Sequence, residues 1–191
     1  MSRYSKRKTT YTNKMSTKSI VVAFVVIALL LISAIYFVSS IFAEPKTPAT
    51  VDEVWTAIEA QGYKPKDITQ TYYDNDSDAF MYLIKCISFD KEDIHFEFFE
   101  FNNEDSAKDL YGQAHYKITT THNSWQKIET DNRMANYRIY TLDANGQYGV
   151  AIFVGNTAVY AHSNSQNKNE IDKILEAIDY LKPGNNKETT E

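Results

Sequence analysis

One cysteine, four prolines and six glycines are all that this 191-residue chain contains of each. A single thiol, Cys86, rules out an intrachain disulfide and a multi-thiolate zinc site, so apolar burial and hydrogen bonds must hold the core. So few glycines and prolines, beside 43% hydrophobic residues, exclude collagen-like and wholly disordered chains. The sequence also lacks H-E-x-x-H, C-x-x-C, G-x-S-x-G and a phosphate-cradling glycine loop. No motif therefore fixes a reaction, and no cofactor or metal is called for.

Positive charge is scarce outside the amino terminus. Residues 1–18 hold Arg3, Lys6, Arg7, Lys8, Lys14 and Lys18 and no acid, a balance of +6. The remaining 14 bases face all 25 acids, leaving the rest of the chain at −11. So acidic a body has no broad surface for neutralising phosphates along a polynucleotide, which argues against nucleic acid as a partner.

Between these segments Ile20–Ala43 is uncharged for 24 residues. As a helix it reaches roughly 36 Å, enough to cross a hydrocarbon core of about 30 Å with some tilt. Lipid obliges the backbone to satisfy its own hydrogen bonds, so residues 19–43 are expected to form a transmembrane helix. Basic residues before the run and Glu44 and Pro45 after it place the amino terminus in the cytoplasm and the body outside, with the cell membrane as location and the lipid bilayer as partner. The rival reading is a cleaved signal peptide, since Ile41-Phe42-Ala43 loosely resembles a cleavage site. Signal-peptide apolar regions run to about 7–15 residues, and the longer run here favours a retained anchor. Either way the body is exported.

The expected organisation is a basic cytoplasmic arm (1–18), the span (19–43), a proline-stiffened linker (44–49), an extracytoplasmic α+β domain (50–182) and a flexible tail (183–191). Thr50-Val51-Asp52-Glu53 has capping-box spacing, Val51, Val54, Trp55 and Ile58 recur at helical spacing, and Gly62 suits the closing left-handed position. Residues 63–73 and 79–89 read as strands. In 94–101 the alternation Ile94, Phe96, Phe98 shifts phase to Phe99 and Phe101, which predicts a bulge near Phe98. Asn103 caps a second helix whose buried stripe is Ala107, Leu110, Tyr111 and Ala114. Residues 119–135 are polar with little periodicity and read as a long loop pinned by Trp125. Strands 136–142, 147–154 and 157–162 follow around Asn145-Gly146, and a last helix after Asn167 carries Ile171, Ile174, Leu175, Ile178 and Leu181. The sum is an α+β fold: an antiparallel sheet of about six strands with three helices packed on one face, in the order helix, three strands, helix, three strands, helix.

The segments GYKPKDITQTY, IHFEFFEFNNEDSAKDLY, NYRIYTLDANGQYGVAIFVGNTAVYA and the closing DYL resemble a family of small, exported, membrane-anchored α+β domains from Gram-positive bacteria. The resemblance implies the exported α+β body and carries no catalytic signature or ligand residue.

Among candidate sites, Asp74, Asp76 and Asp78 match the first, third and fifth positions of a calcium loop. Ala79 stands where that loop needs glycine and Lys85 where it needs a bidentate glutamate, which favours a solvated acidic turn. Cys86 lacks the upstream histidine of a sortase-like site and reads as a buried structural thiol. His95, His115, His122 and His162 share no metal-ligand spacing; His95 with Glu97, and His162 with Tyr160, read as a solvated sheet face. The 14 tyrosines are the compositional oddity, and Tyr137, Tyr140, Tyr148 and Tyr160 are the candidate binding face. Phenol rings on a sheet give flat amphipathic contact area for an envelope protein, peptide or glycan. The expected function is a displayed, non-enzymatic binding or assembly module; the alternative is an exported hydrolase or transferase whose site has no linear signature.

Overall fold

A computed structural model describes residues 22, 25–32, 45–73, 80–121, 127–133 and 136–182. The chain divides into two units, before and after the boundary between Ala43 and Glu44. In the first, Val22 and residues 25–32 are helical and their apolar side chains are exposed. No helix among the described residues is long and apolar enough to cross a membrane, and most of the expected span at 19–43 lies outside them. The basic arm, the tail at 183–191 and the loop carrying Asp74, Asp76 and Asp78 also lie outside the described residues.

The body is α+β. Its elements are α1 (Val51–Ala60), β1 (Lys66–Asp67), α2 (Thr69–Tyr73), β2 (Leu83–Lys91), β3 (Ile94–Phe101), α3 (Glu104–Thr121), β4 (Lys127–Arg133), β5 (Tyr137–Ala144), β6 (Gln147–Val154), β7 (Thr157–Asn164), a 3-10 turn (Ser165–Asn167) and α4 (Lys168–Ala177). Seven strands form one antiparallel sheet in the order β1-β2-β3-β7-β6-β5-β4. β3 pairs with β7, so the chain leaving β3 must cross β7, β6 and β5 to begin β4 at the far edge. α3 makes that crossing over one face.

Local chemistry sets the element ends. The Thr50 hydroxyl accepts from the Glu53 amide at 3.3 Å while the Glu53 carboxylate accepts from the Thr50 amide at 2.7 Å, which completes the capping box of α1. The Asn103 side chain accepts from the Ser106 amide at 2.8 Å and starts α3. Asn145 and Gly146, at φ +55° and +72°, make the two-residue turn between β5 and β6.

Helices cover both faces of the sheet, not one as expected, because successive residues of the central strands are apolar on both sides. α1 and α4 bury Val54, Ile58, Ile171, Ile174 and Leu175 against Phe89, Phe96, Phe98, Val150, Ile152 and Val159. α3 buries Ala107, Leu110, Tyr111, Ala114 and Ile118 against Phe99, Phe101, Tyr140, Ala151, Phe153 and Tyr160 on the other side. The two cores also explain the phase shift in β3. Its pairing with β2 and β7 runs without a slip past Phe98; Phe98 serves one core, Phe99 and Phe101 the other, and the irregularity lies between Leu83 and Lys85 of β2.

Three further expectations are corrected. Only Lys66–Asp67 of the segment 63–73 is strand, since the Asp67 carboxylate accepts from the Thr69 amide at 3.0 Å and turns the chain into α2. The polar stretch expected to be a loop contains β4, an exposed edge strand that among the described residues pairs with β5 alone, and Trp125 lies outside those residues. α4 stops at Ala177, where Asp179 at φ +57° reverses the chain and delivers Tyr180 to the core; its hydroxyl accepts from the Ala49 amide at 2.9 Å.

Candidate functional site

α3 and the β4–β6 edge of the sheet enclose a cleft of about 400 Å³ lined by Lys108, Tyr111, Gly112, His115, Arg133, Tyr137, Arg138 and Phe153. On α3, Lys108, Tyr111, Gly112 and His115 recur at three- and four-residue steps and so form one flank of the helix. Arg133 and Arg138 are direct cross-strand partners in β4 and β5. α3 can lie this close to the sheet because β6 has Gly149 beneath it: a Cβ there would stand 2.8 Å from Ile118 Cγ2.

Asp131 organises the floor. Its carboxylate accepts from Arg133 Nε and Nη2 at 3.0 and 2.8 Å, and from Arg138 Nε and Nη2 at 3.0 and 2.9 Å. The hydrogen bond from Arg138, opposed by burial and reinforced by that from Arg133, holds the Asp131 carboxyl well below the usual carboxylate range. The Arg138 guanidinium lies 5.2 Å from the centre of the Tyr111 ring, and Lys108 Nζ lies 5.9 Å from that of Phe153. Tyr111 meets Phe153 edge-on at 5.5 Å, and His115 meets Tyr140 edge-on at 4.3 Å. Burial, then the neighbouring Arg138 charge, lowers the His115 pKa and favours the neutral ring.

The Tyr111 hydroxyl is buried and has no hydrogen-bond partner among the described residues. Burial pushes its pKa up to about 12. A phenol oxygen in such a place carries an uncompensated desolvation cost.

Of the four tyrosines singled out in the sequence, Tyr137 borders this cleft but packs its ring against the α1 and α4 core, with Lys46 Nζ 5.7 Å from its centre, and Tyr140 lies under His115. The other two lie elsewhere. Tyr148 is buried on the opposite face, where its hydroxyl donates to Asp172 at 2.6 Å, and Tyr160 is buried beneath Lys117, whose Nζ is 4.5 Å from the ring centre. The four therefore do not form one face. Arg133 and its partner Asp131 were missed because β4 read as a loop, and Lys108 and Arg138, on a helix and a strand that were read, because nothing in the sequence says that they face β4; the signal available was the alternation of Glu129, Asp131 and Arg133, which puts three charges on one side of an edge strand.

Two other features adjoin α3. A groove of about 750 Å³ on its other flank is lined by Tyr82, Asn103, Asp105, Ser106, Asp109, Gly112, Gln113 and Tyr116. On the sheet, His95 Nδ1 lies 2.6 Å from Asp90 and Nε2 lies 3.5 Å from Glu97, which also accepts from the Tyr72 hydroxyl at 2.6 Å. This part of the sheet is less solvated than expected, with the Glu97 side chain only 13% exposed. The Glu97 hydrogen bond raises the His95 pKa, opposed by burial and reinforced by Asp90. Cys86 is buried, and burial holds its thiol far above the reactive range. Among the described residues no group of His, Cys, Asp and Glu is arranged to hold a metal ion.

No protein-family model and no curated protein matches the chain. A crystal structure of a GTP binding regulator from Thermotoga maritima aligns with a TM-score of 0.41 at 16% identity, over 73% of this chain and 95% of that one. A likeness that weak carries no argument about what this chain binds or does.

Proposed function

We propose that this chain is a single-pass membrane protein that displays its α+β body outside the cell as a non-enzymatic binding or assembly module, with the amino-terminal arm in the cytoplasm. The observation that carries the binding role is the cleft between α3 and β4–β6, where aromatic rings and ion-paired guanidinium groups are fixed on rigid elements around an open space of about 400 Å³. Pockets of about 300–1,000 Å³ with apolar walls and a few placed polar groups are the usual form of a ligand site. The uncharged run Ile20–Ala43 behind six basic residues supports the anchor and its orientation.

The test is protease treatment of intact cells expressing the full chain with an epitope at each end. Loss of the carboxyl-terminal epitope with retention of a membrane-bound, amino-terminal fragment is expected. Protection of the carboxyl-terminal epitope until the cells are opened would overturn the displayed topology.

A further inference from the structure

We propose that the cleft between α3 and the β4–β6 edge binds phosphate monoesters, with Lys108, Arg133 and Arg138 supplying charge and the Tyr111 hydroxyl a hydrogen bond. The inference names a ligand class for the site and rests on the reading of that cleft as the binding site.

The charge pattern is the first argument. The chain beyond residue 18 carries −11, yet the lining of this cleft holds Lys108, Arg133 and Arg138 and no acid. Asp131 is a single carboxylate shared by two guanidinium groups, which leaves the trio one positive charge in excess. Arg133 Nη2 and Arg138 Nη2 bond the same carboxylate oxygen at 2.8 and 2.9 Å, so they lie no more than 5.7 Å apart. Each guanidinium has about five N–H donors, of which Asp131 engages two, and among the described residues no other acceptor takes the rest. Lys108 pairs with Glu104 at 2.8 Å, but the two side chains are 44% and 40% exposed, and surface pairs of this kind are worth little.

The second argument is the orphaned hydroxyl. Tyr111 lines the cleft, is only 5% exposed, and its oxygen has no partner among the described residues. A ligand oxygen accepting from it would remove the cost of that burial. The third is shape. Cationic groups reach the cleft from α3, β4 and β5, a spatial arrangement that suits the three terminal oxygens of a phosphoryl group better than the two coplanar oxygens of a carboxylate. A phosphate monoester brings nearly two negative charges against the surplus from the arginine pair and Lys108. The space is also far larger than a bare phosphate, and the rings of Tyr111 and Phe153 are walls for an organic moiety.

The experiment uses the full chain in phosphatidylcholine nanodiscs, titrated calorimetrically with sn-glycerol 3-phosphate and with acetate, while the His115 ring is followed by NMR. The phosphate ester should bind more tightly than acetate and raise the His115 pKa. R133Q should weaken the ester by at least about tenfold, because charge-assisted hydrogen bonds are lost. D131N, which removes the neutralising carboxylate, should tighten it several-fold, an effect opposite to that of simple damage. K173Q, on α4 at the other face, should bind as the unaltered chain does. Should D131N fail to fold, Y111F takes its place, with weaker binding in a fully folded protein as the expected result. A second arm omits the soluble ester and replaces part of the phosphatidylcholine with phosphatidic acid. A His115 response there assigns the ester to a lipid headgroup, and a response to the soluble ester alone assigns it to a free metabolite or polymer. Equal binding of acetate, or no binding of the ester, overturns the ligand class and leaves the displayed-module reading to the protease test. Ester binding indifferent to R133Q, D131N and Y111F overturns the cleft itself.

Discussion

Gly149→Ala should destabilise the body by about 1–3 kcal/mol, the usual cost of forcing extra volume into a packed core. The new methyl would stand 2.8 Å from Ile118 Cγ2 and 3.1 Å from Ile118 Cγ1. Ile118 is only 1% exposed and is held between α3 and the sheet, so it has little room to yield. Ile118→Ala alone should cost about 2–5 kcal/mol through lost burial and a residual cavity. In the double variant the alanine methyl at 149 occupies part of that cavity and the clash disappears. The two losses should therefore fall short of additivity by at least about 1 kcal/mol. The assay is urea unfolding of the full chain in neutral detergent, followed by the fluorescence of its two tryptophans, Trp55 and Trp125. Because Ile118 lies two turns along α3 from Tyr111, G149A should also weaken ligand binding at the cleft. An unchanged urea midpoint for G149A, or strict additivity in the double variant, would refute the close packing of α3 on β6.

Tyr111→Phe removes a buried hydroxyl without a partner, so it should leave stability unchanged or raise it by about 1 kcal/mol; a clear loss in the same unfolding assay would mean that the hydroxyl has a partner. Thr50→Ala removes the hydroxyl that accepts from the Glu53 amide, while the backbone amide at 50 can still donate to the Glu53 carboxylate; it should cost about 1 kcal/mol, with Thr50→Ser recovering most of it. For Asp131 the folded-state pKa lies below its unfolded value near 4, so the arginine pairing stabilises the fold above about pH 4 and is lost as pH falls through the folded pKa. Urea midpoints measured down this range should therefore fall more steeply for the unaltered chain than for D131N, and parallel curves would contradict the bidentate pairing.

Much of the fold was legible where local chemistry dictates it. The capping box at Thr50 and Glu53, the Asn103 cap, the Asn145-Gly146 turn and the apolar stripes of α3 and α4 depend on neighbours in sequence, and each is present. Features that depend on distant partners were not legible. Phe98 and Phe99 read as a slipped strand because the sequence does not say that both faces of β3 are covered. β4 read as a loop because an edge strand needs no apolar face of its own: its ladder with β5 holds it. The same gap hid Arg133 and Asp131, while the tyrosines, visible by their number, went mostly to two separate cores. Only Tyr137 among those singled out reaches the cleft lining.

The central claim is that one cleft is where the displayed body meets its ligand, and the most direct measurement locates binding on the molecule. Backbone amide shifts of the full chain in phosphatidylcholine nanodiscs, recorded with and without sn-glycerol 3-phosphate, should change around Lys108–His115, Asp131–Arg133, Tyr137–Arg138 and Phe153, and stay fixed along α1 and α4. Shifts centred on α1 and α4, or on the groove between Tyr82 and Tyr116, would contradict it.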